Sequence, residues 1–408
     1  MPSWSARSWA ALTDALSWHW IFFVNVPVGL VSLYLIVKLL PMVRTPGVRF
    51  TLDIPGLITF IGAVVPVLVA LTLAENGNWV DPAVLGGFAV GFVFLLAFLV
   101  AEAKAEDPMI PLDLFRNRTF AVSAIATFLA VFGFSTLIIF LPLWFQVVQG
   151  ASTTASGYLL FPFLFGLIVS SIVAGQVVSR TGRYKVLIAG AMAVMAIGLA
   201  FFMNLRADTP TPVLWTWMFV AGLGVGPTMA IFTLIVQNDV SFEMLGTATS
   251  DLTLFRQIGT SVGLTMAFTL FRNNLTWGLI HDSVVGAGAP AAAVPIAAPP
   301  NFDVGQLTSV GGSATDAFAG IPTALVGFYT IGFHEAFSIA IANCVWLGVI
   351  AAVLAFLTTL ALKEKPLRTH FHAKQAVRAG VRTIPGGPAA EGAELPAGPF
   401  GSLDSARE

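Results

Sequence analysis

The sequence predicts an all-α membrane protein with about nine transmembrane helices. Three observations predict this. Of 408 residues, 57% are apolar and only 10% are charged, whereas a soluble domain carries roughly a quarter charged residues. The apolar residues form runs of about 20, enough for a helix to cross a hydrocarbon layer of about 30 Å. The charges gather between these runs and towards the C-terminus. Strands do not fit, because open sheet edges leave backbone groups unpaired in lipid and barrel strands alternate in polarity.

In chain order the runs lie at 18–40, 55–74, 83–101, 120–148, 158–178, 186–203, 212–236, 246–271 and 336–362. The loops between them set an orientation, since Lys and Arg favour the cytoplasmic side. The first loop carries Arg44 and Arg49, the third Lys104, Arg116 and Arg118, and the fifth Arg180, Arg183 and Lys185. After the last run come Lys363, Lys365 and Arg368. The second, fourth and seventh loops carry no basic residue, and the sixth has only Arg206. This alternation predicts a multi-pass protein of the cell membrane with its odd loops and C-terminus in the cytoplasm. The first 17 residues lack the basic start, apolar stretch and small-residue cleavage site of a signal peptide.

Residues 273–333 read as a long outer loop with an Ala/Pro-rich, linker-like centre at 286–300. Within it, 318–333 is apolar but short, holds Gly320, Pro322, Gly327 and Gly332, and as a tenth span would turn the basic tail outwards. It is read as loop. From 373 onwards the chain is rich in Gly, Pro and Ala and reads as a disordered tail.

Enzyme chemistry has little to stand on. No G-x-x-x-x-G-K-[ST] phosphate loop is present. His334-Glu335 begins like H-E-x-x-H, but Ser338 stands where the second His belongs. The five histidines are scattered and the one cysteine, Cys344, lies in an apolar run, so no metal site and no cofactor is expected. A net charge of −1 suggests no nucleic-acid face. The run Gly222-Leu-Gly224-Val-Gly226-Pro227 sits inside a span and reads as helix packing around a proline, not as a nucleotide loop. Gly166, Ser170 and Ala174 form a small-residue stripe that allows close helix approach. Asn25 and Pro27 in the first span read as a local break.

Ionisable residues inside spans are more telling, because charge in a bilayer is costly. Thr249, Thr253, Arg256, Thr260 and Gly263 recur at spacings of four and three, which puts them on one face of the eighth run. Arg256 lies about ten residues, or roughly 15 Å, along that helix. Asp251 is offset to the side, and Gln257 adds a second polar group. Two uses fit Arg256: a charge lining a water-filled path, or a guanidinium tying two helices together through backbone carbonyls.

Several stretches now resemble one family in order. The segment from Leu12 to Gly29, with Trp18-His19-Trp20 and Asn25-Val-Pro27, resembles the approach to the sixth span of the 14-span drug–proton antiporters of the major facilitator superfamily. Asp53-Ile-Pro-Gly56 resembles the start of the helix pair inserted between that family's halves. Leu112-Asp-Leu-Phe-Arg-Asn-Arg-Thr-Phe120 resembles the lead into the second half, and Leu141-Pro-Leu-Trp-Phe-Gln-Val-Val-Gln-Gly150 the exit of its first helix. Gly246-Thr-Ala-Thr with Phe255-Arg-Gln-Ile-Gly259 resembles the penultimate span, and His334-Glu-Ala-Phe337 the start of the last. The loop holding Gly175, Arg180, Gly182 and Arg183 resembles the G-x-x-x-D-R-x-G-R motif, with Ser179 in place of Asp. The usual Trp-Arg-Trp is Trp18-His-Trp20.

The resemblance implies a partial major facilitator fold. Residues 1–41 would be a remnant of the N-terminal half with one span, and 42–117 the inserted pair with cytoplasmic linkers. Residues 118–365 would be the C-terminal six-helix half and 366–408 the cytoplasmic tail. The family's first five spans have no counterpart, so an inactive truncated copy or a wrongly started gene is one expectation. The implied activity is proton-coupled export of drugs or amphipathic metabolites, with the bilayer, small amphipathic substrates and protons as partners. The translocation-path candidates are Arg256, Asp251, Gln257, Thr249, Thr253 and Thr260. A rival reading is a non-transporting scaffold or the permease subunit of an ATP-driven pump, which would require a soluble ATPase partner.

Overall fold

The computed structural model describes residues 19–39, 53–74, 79–105, 108, 110–111, 113–241, 244–296, 298 and 323–365. The first loop with Arg44 and Arg49 and the tail from 373 lie outside them. The described residues are helical throughout, with no strand among them. The chain divides into two units, Met1–Phe50 with Arg368–Glu408, and Thr51–Leu367.

In the first unit the described element is α1, His19–Leu39. It runs unbroken past Asn25 and Pro27, which corrects the expected break. A proline removes one amide and crowds one carbonyl, and here the helix absorbs both. Near its end the Lys38 ammonium donates to Tyr34 Oη at 2.7 Å.

The second unit begins with a helical hairpin, α2 (Ile54–Ala74) and α3 (Pro82–Lys104). Asp53 caps α2 by accepting the Gly56 amide at 2.8 Å, and Asp81 caps α3 by accepting the Ala83 amide at 2.8 Å, with Pro82 in the first turn. A one-turn helix α4 (Asp113–Arg116) leads to α5 (Arg118–Val147), which Asn117 caps through the Thr119 amide at 2.9 Å. There follow α6 (Thr153–Leu159), α7 (Phe161–Thr181), α8 (Lys185–Phe201), α9 (Thr211–Asp239), α10 (Leu245–Asn274), α11 (Trp277–Gly286) and α12 (Thr323–Leu360).

Among the described residues seven stretches, α6–α7 taken together as one of them, are long and apolar enough to cross a membrane. Of the other two long helices, α1 counts as a shorter apolar one over Asn25–Leu39, and α10 is more polar, carrying threonines, Asp251 and Arg256. Together these correspond one to one with the nine sequence runs. The last differs at its start: α12 begins at Thr323, not near 336, so the apolar stretch before His334 extends one long helix and adds no span. Helix α11 lies inside the stretch read as outer loop and packs on α12.

Helices α5 and α9 are the most enclosed, with 67% and 61% of their apolar windows buried against 17% for α3 and for α6–α7. Around them α7 and α8 pack on α9, and α10 and α12 pack on α5. Glycines permit these approaches. A methyl on Gly222 would strike the Phe163 carbonyl, and one on Gly226 the Leu167 carbonyl and Ser170, both on α7. A methyl on Gly224 would strike Met195 on α8. The glycine run is therefore a packing device, and Gly166 and Ser170 are its counterparts on α7, with Ser170 Oγ 3.4 Å from the Gly222 carbonyl. Between α5 and α12 the buried Trp144 indole donates to Ser338 Oγ at 2.8 Å, and Ser338 donates to the His334 carbonyl at 2.7 Å.

Candidate functional site

The polar face of α10 is where charge enters an otherwise apolar bundle. The Arg256 guanidinium donates to the Met229 carbonyl at 3.0 Å and to Thr233 Oγ1 at 2.9 Å, both on α9. Its Nε is buried and has no partner among the described residues. The threonines satisfy themselves along their own helix. Thr249 Oγ1 donates to the Leu245 carbonyl at 2.7 Å, Thr253 to Thr249 at 3.0 Å, and Thr260 to Arg256 at 3.0 Å. Thr249 also accepts from Gln237 at 3.2 Å, a second tie to α9. Gln257 is exposed. Asp251 goes elsewhere: it is buried, and its Oδ2 has no hydrogen-bond partner among the described residues.

The six candidates thus divide. Thr249 and Arg256 meet α9, Asp251 is buried apart from them, and Thr253, Gln257 and Thr260 make no side-chain bond to another helix among the described residues. The arrangement can hold a charge in a low-dielectric bundle through a backbone carbonyl and a hydroxyl, and it can present hydroxyls beside it.

The loop between α7 and α8 takes its shape from Gly182, whose φ of 68° ends α7 in a left-handed cap while its amide reaches the Val178 carbonyl. Gly175, Arg180 and Arg183 are exposed. Ser179, which stands where the motif has Asp, donates to the Gln176 carbonyl of its own helix at 2.9 Å. Beside this loop the buried Tyr184 hydroxyl accepts the Lys365 amide at 2.8 Å and donates to the Lys363 carbonyl at 3.3 Å. The Lys365 ammonium pairs with Asp239 at the end of α9. Burial pushes the Tyr184 phenol above its ordinary range.

At the opposite end of the bundle Glu335 holds the loop between α8 and α9. It accepts the Ala207 amide at 2.9 Å and pairs with Arg206 at 3.4 Å. His334-Glu335 is therefore part of a clasp between elements. Among the described residues no group of three or more His, Cys, Asp or Glu is placed to hold a metal ion, and Cys344 is fully buried with its thiol on the Ala340 carbonyl at 3.1 Å. Sequence reasoning did not find Met229, Thr233, Tyr184 or Glu335 as partners. Each contact joins separate elements, which spacing along one helix does not show, and only the pairing of a deep Arg with some backbone carbonyl was foreseeable.

A bundle of long apolar helices, joined through buried glycine contacts and carrying one polar face, defines a multi-pass membrane protein. The chain belongs to the Major Facilitator Superfamily, whose sequence profile matches residues 8–264. It is 34% identical over 275 residues to the Multidrug transporter protein MdtP of Bacillus subtilis (strain 168), covering 67% of this chain and 50% of that protein. Multidrug resistance protein 3 of the same organism is 31% identical over 288 residues, 69% of this chain and 56% of that protein. The MFS-type transporter poxA of Penicillium oxalicum is 29% identical over 376 residues, 88% of this chain and 63% of that protein. The chain thus spans about half the length of the first bacterial relatives it matches.

Proposed function

We propose that this chain works as part of a secondary transporter that exports drugs or amphipathic metabolites in exchange for protons. The observation that carries the reading is its similarity to proteins named as a multidrug transporter and a multidrug resistance protein, and the charged face of α10 supports it. In such folds one half rocks against the other around a midplane site. On this reading α2 and α3 are the inserted pair of a 14-span architecture, α5 to α12 its second half, and α1 a helix of the first. The end carrying Arg180, Arg183, Lys363 and Lys365 faces the cytoplasm. Arg256, Thr249, Thr253, Gln257 and Thr260 face the path, with Arg256 as its fixed charge. Gly175, Arg180, Gly182 and Arg183 form the cytoplasmic loop motif.

The test is dye export in cells stripped of their own efflux pumps, with and without an uncoupler. Export that depends on this chain and collapses with the proton gradient is the expected result. Export that persists without a gradient, or none when the chain is present in the membrane, overturns the reading.

A further inference from the structure

We propose that the α10 face selects amphipathic anions, with the Arg256 guanidinium receiving the anionic group of the substrate. This rests on the reading of that face as a translocation path and narrows its substrate class. A guanidinium carries five N–H donors. Arg256 turns Nη2 to α9, where it meets the Met229 carbonyl and Thr233 Oγ1. Both of these acceptors are neutral, so they hold the guanidinium without cancelling its charge. Nη1 makes no hydrogen bond among the described residues, and unlike Nε it is not enclosed. One nitrogen thus anchors the side chain, and another keeps its donors open.

No acid answers this charge among the described residues. Arg256 forms no ion pair there, whereas Asp239 at the end of α9 is taken by Lys365 and Glu335 by Arg206. Asp251 lies two residues before Thr253, which puts it about 160° round the helix from that residue. It is also 3% exposed, so it does not share the open face. What the open face does carry beside Arg256 is neutral: Ser250, Thr253 and Gln257 are exposed. The Thr253 and Thr260 hydroxyls donate to carbonyls of their own helix, and the Gln257 amide adds a donor. A cation brought beside an uncompensated guanidinium is repelled, and low dielectric strengthens that repulsion. An anion gains charge-assisted hydrogen bonds from the same groups. The helices around this face are apolar, so the substrate that fits joins an apolar body to one anionic group.

The experiment measures binding, so it does not depend on export. The full chain in zwitterionic lipid nanodiscs at neutral pH is titrated with two fluorescent probes of one shape and opposite charge, 4-(1-pyrenyl)butanoate and 4-(1-pyrenyl)butylammonium. Saturable binding above that of empty nanodiscs should favour the carboxylate by about tenfold or more, the scale of one hydrogen bond to a charged group. Arg256→Gln should abolish the preference and Arg256→Lys should keep its sign. Gln257→Glu, which sets an acid on the same open face, should cancel or invert it. Arg206→Gln, at the outer end of the bundle, should leave it unchanged. Equal binding of the two probes, a preference for the ammonium, or no saturable binding overturns the proposal. So does a preference that survives Gln257→Glu, or one that Arg206→Gln also removes. If Arg256→Gln fails to fold, Gln257→Glu decides, since the Gln257 side chain makes no bond among the described residues that could be lost. A carboxylate that binds selectively but is never exported would instead overturn the export reading and leave this selectivity standing.

Discussion

Arg256 on α10 and Met229 on α9 are joined by a hydrogen bond of 3.0 Å from guanidinium to main-chain carbonyl. The same nitrogen reaches Thr233 Oγ1, one turn further along α9. A guanidinium delivers donors in a fixed plane, which a lysine ammonium does not. Its anchoring is therefore a matter of geometry as well as charge.

The first prediction follows from that pair of contacts. Thr233→Ala should destabilise the bundle, and it should do so far less when Arg256→Gln is already present. Bonds between membrane helices average about 0.6 kcal/mol and reach about 1.7 kcal/mol, so a coupling near the upper figure is expected for this charge-assisted contact. Thermal unfolding of the four proteins of the double-mutant cycle measures it. Additive losses would mean that Arg256 and Thr233 act separately.

The second prediction concerns the glycines of α9. Gly226→Ala should cost about 1–3 kcal/mol, because the new methyl meets the Leu167 carbonyl and Ser170, and a backbone oxygen cannot step aside. Gly175→Ala is the control, since a methyl there meets open space. Comparing the two melting temperatures in one detergent checks this, and equal shifts would contradict it.

The helices themselves were legible in the sequence because lipid imposes length and apolarity run by run. The fate of the glycine run was legible too, since small residues inside a span have few other uses. What was not legible depends on long-range pairing. Spacing put Asp251 off the Thr–Arg face, but nothing near it in the chain pointed to its burial. Ser338 read only as a missing histidine, yet it receives the Trp144 indole. The start of α12 was misread because Gly327 and Gly332 looked like loop residues. In the structure a methyl on Gly332 would strike Val284, so this glycine is where α11 rests on α12.

The third prediction separates two contacts of Glu335. Its pair with Arg206 is partly exposed, at 31% and 46% of the two side chains, and such pairs are worth about 0–1 kcal/mol. Its hold on the Ala207 amide is a separate bond. Arg206→Ala should therefore cost less than Glu335→Ala, by about 1 kcal/mol, and Glu335→Gln should fall close to Arg206→Ala. Unfolding midpoints of the three variants check the order, and equal effects of Arg206→Ala and Glu335→Ala would contradict it.

The fourth prediction is a pH dependence at Tyr184. Its hydroxyl accepts the Lys365 amide and donates to the Lys363 carbonyl, so Tyr184→Phe should cost about 1 kcal/mol at neutral pH through an amide left without its acceptor. The phenol is raised above its ordinary value, first by burial. In the unfolded chain it ionises near pH 10, while in the folded chain the neutral form persists to higher pH. The Tyr184 contribution is thus whole below about pH 10 and is lost as pH climbs through the raised value. Unfolding followed at rising alkaline pH should show wild type losing its advantage over Tyr184→Phe only beyond that point. An advantage that shrank between pH 6 and 8 would place the titrating group elsewhere.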